Sequence, residues 1–172
     1  MPCANQLAEL TALVALLAPD FGAPAFVPHV TIQGDLAMEL DTLVAHAKVL
    51  ADASTALCWP VQSVESSAHF FRCLYLRFPS AQVFDAMQKA AQALTGTASG
   101  LSPFPHLSLA YGQLKPHHQA VLEALNTRFI DQPMRFDRIA ICRSSQNVPI
   151  KEWSVLFDYF LAGATPASLP AN

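Results

Sequence analysis

Apolar residues recur at helical spacing in three stretches of the chain. Leu7, Leu10, Val14 and Leu17 mark a helix over 5–18. Leu40, Leu43, Val44, Ala47 and Leu50 mark a second over 38–51, and Val83, Phe84, Met87 and Leu94 a third over 81–94 with Ser80 as its N-cap. A fourth helix is predicted from Pro116, a residue suited to a first helical position, to about Phe129. Alternating or short apolar runs bounded by turn formers predict strands over 26–33, 56–65, 69–78, 106–111, 134–143 and 152–160. Ser66-Ser67-Ala68 reads as a tight hairpin, 96–103 as loop, and Pro19 to Pro24 as the break after the first helix.

Strand-helix-strand-strand thus occurs twice, as pseudo-repeats over about 26–95 and 104–160. The pattern predicts an α+β fold, one bilobal domain over 1–160. Two pseudo-symmetric lobes of antiparallel sheet would carry outer helices, with an active cleft between them. The small, proline-containing stretch 161–172 reads as a disordered tail.

Composition narrows the function classes. The 172 residues are 52% hydrophobic and 13% charged, with a net charge of −3, so the broad basic field that extended nucleic acids need is absent. A small anionic substrate in a local pocket fits better. The apolar stretch 7–18 is too short to span a bilayer and lacks a basic leader, so a cytoplasmic, monomeric protein without a membrane partner is expected. Cys3, Cys58, Cys73 and Cys142 are scattered and read as free thiols, the last three as small hydrophobes in strand-like runs.

The candidate chemistry lies in two similar strands. Pro28-His29-Val30-Thr31-Ile32 and Pro105-His106-Leu107-Ser108-Leu109 are offset by 77 positions. Residues two apart on a strand leave the same face, so each motif presents an imidazole beside a hydroxyl. Hydrolysis of a cyclic phosphodiester needs a base for water, an acid for the departing alkoxide and donors for the non-bridging oxygens. His29 and His106 suit the acid and base roles, because free imidazole titrates near ~6.5. Thr31 and Ser108 suit the donor role. Tyr111, at the end of the second strand, reads equally as a cleft residue or a core tyrosine. His46, His69, His117 and His118 read as surface residues, His69 being the one that can overhang a cleft. No His-x-His, His-Glu-x-x-His or acidic cluster occurs, so no metal or other cofactor is expected, and Asp35 reads as a turn former. Ser108 lacks a Gly-x-Ser-x-Gly nucleophile elbow.

The paired motifs His29-Val-Thr31-Ile and His106-Leu-Ser108-Leu resemble those of the two-histidine phosphoesterase superfamily. Phe26-Val-Pro-His-Val-Thr-Ile and Pro105-His-Leu-Ser-Leu-Ala-Tyr-Gly are most similar to the cyclic phosphodiesterases of plants and yeast. The likeness runs from about Phe21 to Phe160 and includes Phe70-Phe-Arg-Cys-Leu-Tyr75 and Glu152-Trp153. It implies a metal-independent phosphoric diester hydrolase with both histidines in a central cleft as acid–base pair. Thr31 and Ser108 would hold the phosphate and Tyr111 would lie beside the substrate. The implied reactions are ADP-ribose 1″,2″-cyclic phosphate to the 1″-phosphate, and nucleoside 2′,3′-cyclic phosphates to 2′-phosphates.

The sequence admits two alternatives. One is an RNA-end 2′,3′-cyclic phosphodiesterase or 2′-5′ RNA ligase-like enzyme, disfavoured by low basic charge and by the lack of arginine near either motif. The other is a non-catalytic nucleotide-binding module of the same fold. Members of the family usually carry a further aromatic-containing strand before the first helix, and residues 1–4 are too short to supply it.

Overall fold

The computed structural model describes residues 1–145 and 147–164; the greater part of the expected tail lies outside them. Four helices and seven strands follow one another as α1 (Ala4–Phe21), α2 (Leu40–Asp52), β1 (Leu57–Pro60), β2 (Ser63–Ser66), β3 (Leu74–Arg77), α3 (Gln82–Thr95), β4 (His106–Ala110), α4 (His118–Phe129), β5 (Pro133–Phe136), β6 (Arg138–Arg143) and β7 (Ser154–Phe160). The fold is α+β, and every paired strand is antiparallel. No described helix is long and apolar enough to cross a membrane.

Helix α1 runs through Pro19, one turn past its expected end, and stops at Gly22 in the left-handed conformation. Its stripe Leu10, Leu13, Leu17 and Phe21 packs with Val64 of β2, Leu74 and Leu76 of β3 and Leu107 and Leu109 of β4. Leu125 and Phe129 of α4 close the same core. Burial of each such side chain stabilises the fold by roughly 1.5–3 kcal/mol. This core covers one face of the β2-β3-β4 sheet and leaves the other face for polar residues.

A second core joins Leu50 and Ala51 of α2 with Met87 and Ala91 of α3, against Ile139 and Tyr159 of β6 and β7. Strands from the two sequence halves therefore mix: β1 pairs β5 and β3 pairs β4. Leu161 is buried in the second core and Ala162 bridges Thr55, so the ordered fold continues past residue 160.

Several predicted strands are divided. The 56–65 run becomes β1 and β2, because Val61 is fully buried between them and its backbone bonds Gln132 and Asp131 instead of continuing a ladder. The 134–143 run splits between β5, in the sheet with β1, and β6, in the sheet with β7. Of the expected strand over 69–78 only β3 forms, paired antiparallel with β2, and the tight Ser66–Ala68 hairpin widens into a link that holds a 3-10 turn, Phe70–Arg72. A second 3-10 turn, Ile150–Glu152, delays β7. The expected strand over 26–33 does not form: residues there make only isolated bridges, Val30 with Leu107 and Gln33 with Leu101, and the chain bends at Ile32. Ala81 rather than Ser80 is the N-cap of α3, and α4 starts at His118, two residues beyond Pro116. All four cysteines are free, but Cys58 points out of β1 and is exposed while Cys73 is buried.

Residues 1–3 lie extended along β5. Pro2 bridges Phe136, Cys3 N–H donates to Arg135 O, and the Met1 ammonium donates to Arg138 O at 2.7 Å. Burial pushes that ammonium down to about 5.

Candidate active site

The antiparallel bridge between Val30 and Leu107 decides how the two motifs meet. With those residues opposite, His29 lies across from Ser108 and Thr31 across from His106, all on one face. The imidazoles occupy one diagonal of this square and the hydroxyls the other. Diagonal neighbours in an antiparallel pair are roughly 7–8 Å apart, enough to admit one phosphate between the two rings.

The square extends across the sheet. His106 pairs with Arg77 and Ser108 with Tyr75; beyond them Arg77 pairs with Ser63 and Tyr75 with Glu65. One face thus reads His29, Ser108, Tyr75, Glu65 along one row and Thr31, His106, Arg77, Ser63 along the next. Leu74, Leu76, Leu107 and Val64 point the other way, into the core. Arg77 and Tyr75 were missed by sequence reading, which saw no arginine near either motif. Their alternation with Leu74 and Leu76 was visible, but not that β3 would lie beside β4.

Both rings are fixed in the same manner. His29 Nδ1 lies 2.8 Å from Val27 O, and His106 Nδ1 lies 3.0 Å from Phe104 O. A carbonyl only accepts, so each Nδ1 carries hydrogen and donates it two residues back along its own chain. In the neutral ring Nε2 is then bare, and neither Nε2 has an intramolecular partner among the described residues. Burial lowers the pKa of both histidines, opposed by the same carbonyl bonds. At His106 the charges of Arg72, His29 and Arg77 lower it further, so the two imidazoles are electrostatically coupled. At His29 the chain's N-terminal ammonium adds a smaller push.

The hydroxyls differ. Ser108 is buried and its Oγ donates to Phe71 O at 3.2 Å. Thr31 is half-buried, and its hydroxyl has no hydrogen-bond partner among the described residues. Tyr111 is 5% exposed: its ring stacks on Phe26 at 3.7 Å and meets Phe71 and Trp153 edge-on. Its hydroxyl interacts with Ser108, and burial raises its pKa. Tyr111 therefore sits behind Ser108, packed against the aromatic cluster.

Residues 29–34 are held from behind. Gly34 N–H donates to Gly100 O at 2.8 Å, and Gln88 Nε2 donates to both Ile32 O and Ser102 O. Gly100 has φ +75°, and a Cβ there would lie 1.8 Å from Gly34 O, so only glycine permits this approach. His29 and Thr31, with the rest of 29–34, line a cavity of about 810 Å³ that is bounded also by β6, by α2 and by Arg143, Ser144, Ser145 and Asn147. His46 lines it, half-buried, with its buried Nδ1 unpartnered among the described residues.

The remaining histidines divide. His69 and His117 are exposed as expected, but His118 is 1% exposed and stacked on Phe21 at 3.8 Å. It falls on the buried stripe of α4 with Leu125 and Phe129. Asp20, His117 and His118 converge closely enough to suggest a cation site. The hydrogen bonds argue otherwise. Lys115 N–H donates to His118 Nδ1, so the neutral ring carries its proton on Nε2 and donates it to Asp20 at 3.0 Å. That nitrogen is not available to ligate, and the Lys115 ammonium stands 3.9 Å from the same carboxylate. The cluster ties α1 to α4.

No protein-family model matches the chain. Over 151 residues it is 25% identical to a cyclic phosphodiesterase of Arabidopsis thaliana, covering 84% of this chain and 82% of that protein. This likeness supports a cyclic phosphodiesterase activity in general. It agrees with what the paired imidazoles can do: one free Nε2 takes a proton while the other, once protonated, gives one.

Proposed function

We propose that the protein is a metal-independent cyclic phosphodiesterase that hydrolyses small nucleotide cyclic phosphates with His29 and His106 as acid–base pair. The observation that carries this reading is the matched pair of imidazoles, each locked by Nδ1 to its own chain and each offering Nε2 to the same face. Substrates of the expected kind are nucleoside 2′,3′-cyclic phosphates, giving 2′-phosphates, and ADP-ribose 1″,2″-cyclic phosphate, giving the 1″-phosphate.

The reaction follows from the arrangement. Both histidines are neutral near pH 7, because burial holds them below the usual imidazole range. A bound phosphodiester anion between the rings favours protonation of one of them. The neutral ring takes a proton from water as its oxygen attacks phosphorus. The ring P–O bond breaks, and the imidazolium gives its proton to the departing oxygen. One water is consumed, one phosphomonoester results, and the two rings have exchanged protonation states. Thr31 donates to a non-bridging oxygen, and Ser108 does so by turning its hydroxyl from Phe71 O. Tyr111 acts on the substrate through Ser108, holding that side chain in place.

The test is hydrolysis of 2′,3′-cyclic AMP with chelator present and the product isomer resolved by chromatography. Adenosine 2′-phosphate is expected. Loss of turnover with chelator and its return with added metal would contradict the reading.

A further inference from the structure

We infer that Arg72 and Arg77 form a second anion subsite beside His106, which takes a phosphate of the substrate other than the one being cleaved. The inference rests on the function proposed above and assigns that site a narrower substrate: a small nucleotide with a second phosphate on the sugar that carries the cyclic one.

Arg77 lies directly across the ladder from His106, one strand farther from the square of histidines and hydroxyls. Arg72 reaches the same place from the 3-10 turn before β3. Both guanidinium groups lie over the Phe104 ring, at 3.8 Å for Arg77 and 4.8 Å for Arg72. Phe104 in turn packs against His106, ring centroids 5.1 Å apart. The charges of both arginines act on His106, which places them within electrostatic reach of the reacting phosphate.

The two cations are not equally compensated. Glu65 accepts from Tyr75 and Ser63 at 2.8 Å each and stands 3.8 Å from Arg77. Among the described residues no carboxylate pairs with Arg72, and its Nε is buried without a hydrogen-bond partner. A buried guanidinium N–H left unsatisfied costs stability that a native fold ordinarily recovers through a partner. With one carboxylate against two cations, the patch is net positive. It suits a phosphate, which the planar fork of arginine binds through two parallel hydrogen bonds. The strand spacing of about 4.8 Å, plus side-chain reach, sets this second phosphate roughly one sugar away from the first. Glu65 at its far side disfavours a longer polyanion running on across the sheet.

Titration calorimetry with adenosine 2′-phosphate and adenosine 2′,5′-bisphosphate tests the subsite without requiring turnover. Wild type should bind the bisphosphate about tenfold or more tightly than the monophosphate. That advantage should disappear in Arg72→Gln and be partly kept in Arg72→Lys, which retains charge but not the fork. Because each comparison is between two ligands on one sample, a general loss of folded protein cancels. Equal affinities in wild type, an undiminished advantage in Arg72→Gln, or binding of neither nucleotide would overturn the inference. Tighter binding of a dinucleotide ending in a 2′-phosphate would overturn its assignment to a small nucleotide.

Hydrolysis of 2′,3′-cyclic AMP by the same samples separates the two claims. An Arg72-dependent advantage without turnover would leave the subsite standing and the phosphodiesterase reading not. Turnover without that advantage would do the reverse.

Discussion

The two histidine segments present the same chemistry from unlike settings. His106 opens β4, the strand buried between β3 and the 29–33 segment, with Leu107 and Leu109 fully buried beneath it. Its surroundings are crowded: Phe104, Tyr75, Arg72 and Arg77 all bear on the ring. His29 lies on a segment that touches β4 through one bridge and is otherwise held by the 97–102 loop and Gln88. His29 and Thr31 line the cavity next to α2. The shared feature is the Nδ1 bond to the carbonyl two residues back, made within each motif itself. The orientation of the ring is thus encoded locally, while its position is set by whatever carries the motif. A regular strand does this on one side and a pinned loop on the other.

The sharpest challenge to this comparison is removal of each ring. His29→Ala and His106→Ala should both lower kcat/KM for 2′,3′-cyclic AMP, by about 10²–10⁴ if each transfers a proton. Similar losses would mean that the loop-borne histidine is held as well as the strand-borne one. Gly100→Ala strikes the loop alone. The added Cβ forces Gly34 and the 29–33 segment away from β4, and a misplacement near 1 Å can cost about 100-fold in rate. Steady-state kinetics should show that loss while far-UV circular dichroism stays native. Thr31→Val removes the hydroxyl without an intramolecular partner and should cost about tenfold, close to one charge-assisted hydrogen bond in the transition state.

The smallest effect expected is on pH. With both folded-state histidines lowered, the bell-shaped profile of kcat/KM should centre below about 6.5. The same shifts act on stability. Between the depressed folded values and the ordinary unfolded value the unfolded chain binds more protons, so stability falls as pH drops through that window. Urea titrations from pH 7.5 downward should show the decline, and a His29→Gln variant should flatten part of it.

Much of this arrangement was legible in the sequence, for physical reasons that can be named. Helical periodicity located α1 to α3 and Pro116 located α4, each to within a few residues, and the alternation around His106 gave β4. The repeated Pro-His-x-Thr/Ser pattern picked out four residues that the Val30–Leu107 bridge brings onto one face. What escaped depended on pairing. A continuous apolar run does not announce that Val61 or Asp137 marks the passage from one sheet to another. Nor do Tyr75 and Arg77 reveal which strand they will lie beside. The burial of His118 was legible in principle, since it shares the stripe of Leu125 and Phe129, but a charged-type residue next to His117 at a helix start reads first as surface. Tyr111 stood between a cleft and a core role, and its stacking on Phe26 puts its ring in the core.

The most direct measurement of the central claim is a double-mutant cycle on His29 and His106. Hydrolysis of 2′,3′-cyclic AMP would be followed for wild type, both alanine variants and their combination, with chelator present. If the two rings act as one acid–base unit, the double variant should be scarcely slower than the worse single variant. Wild-type rates in either single variant, or losses that simply multiply in the double, would contradict the account.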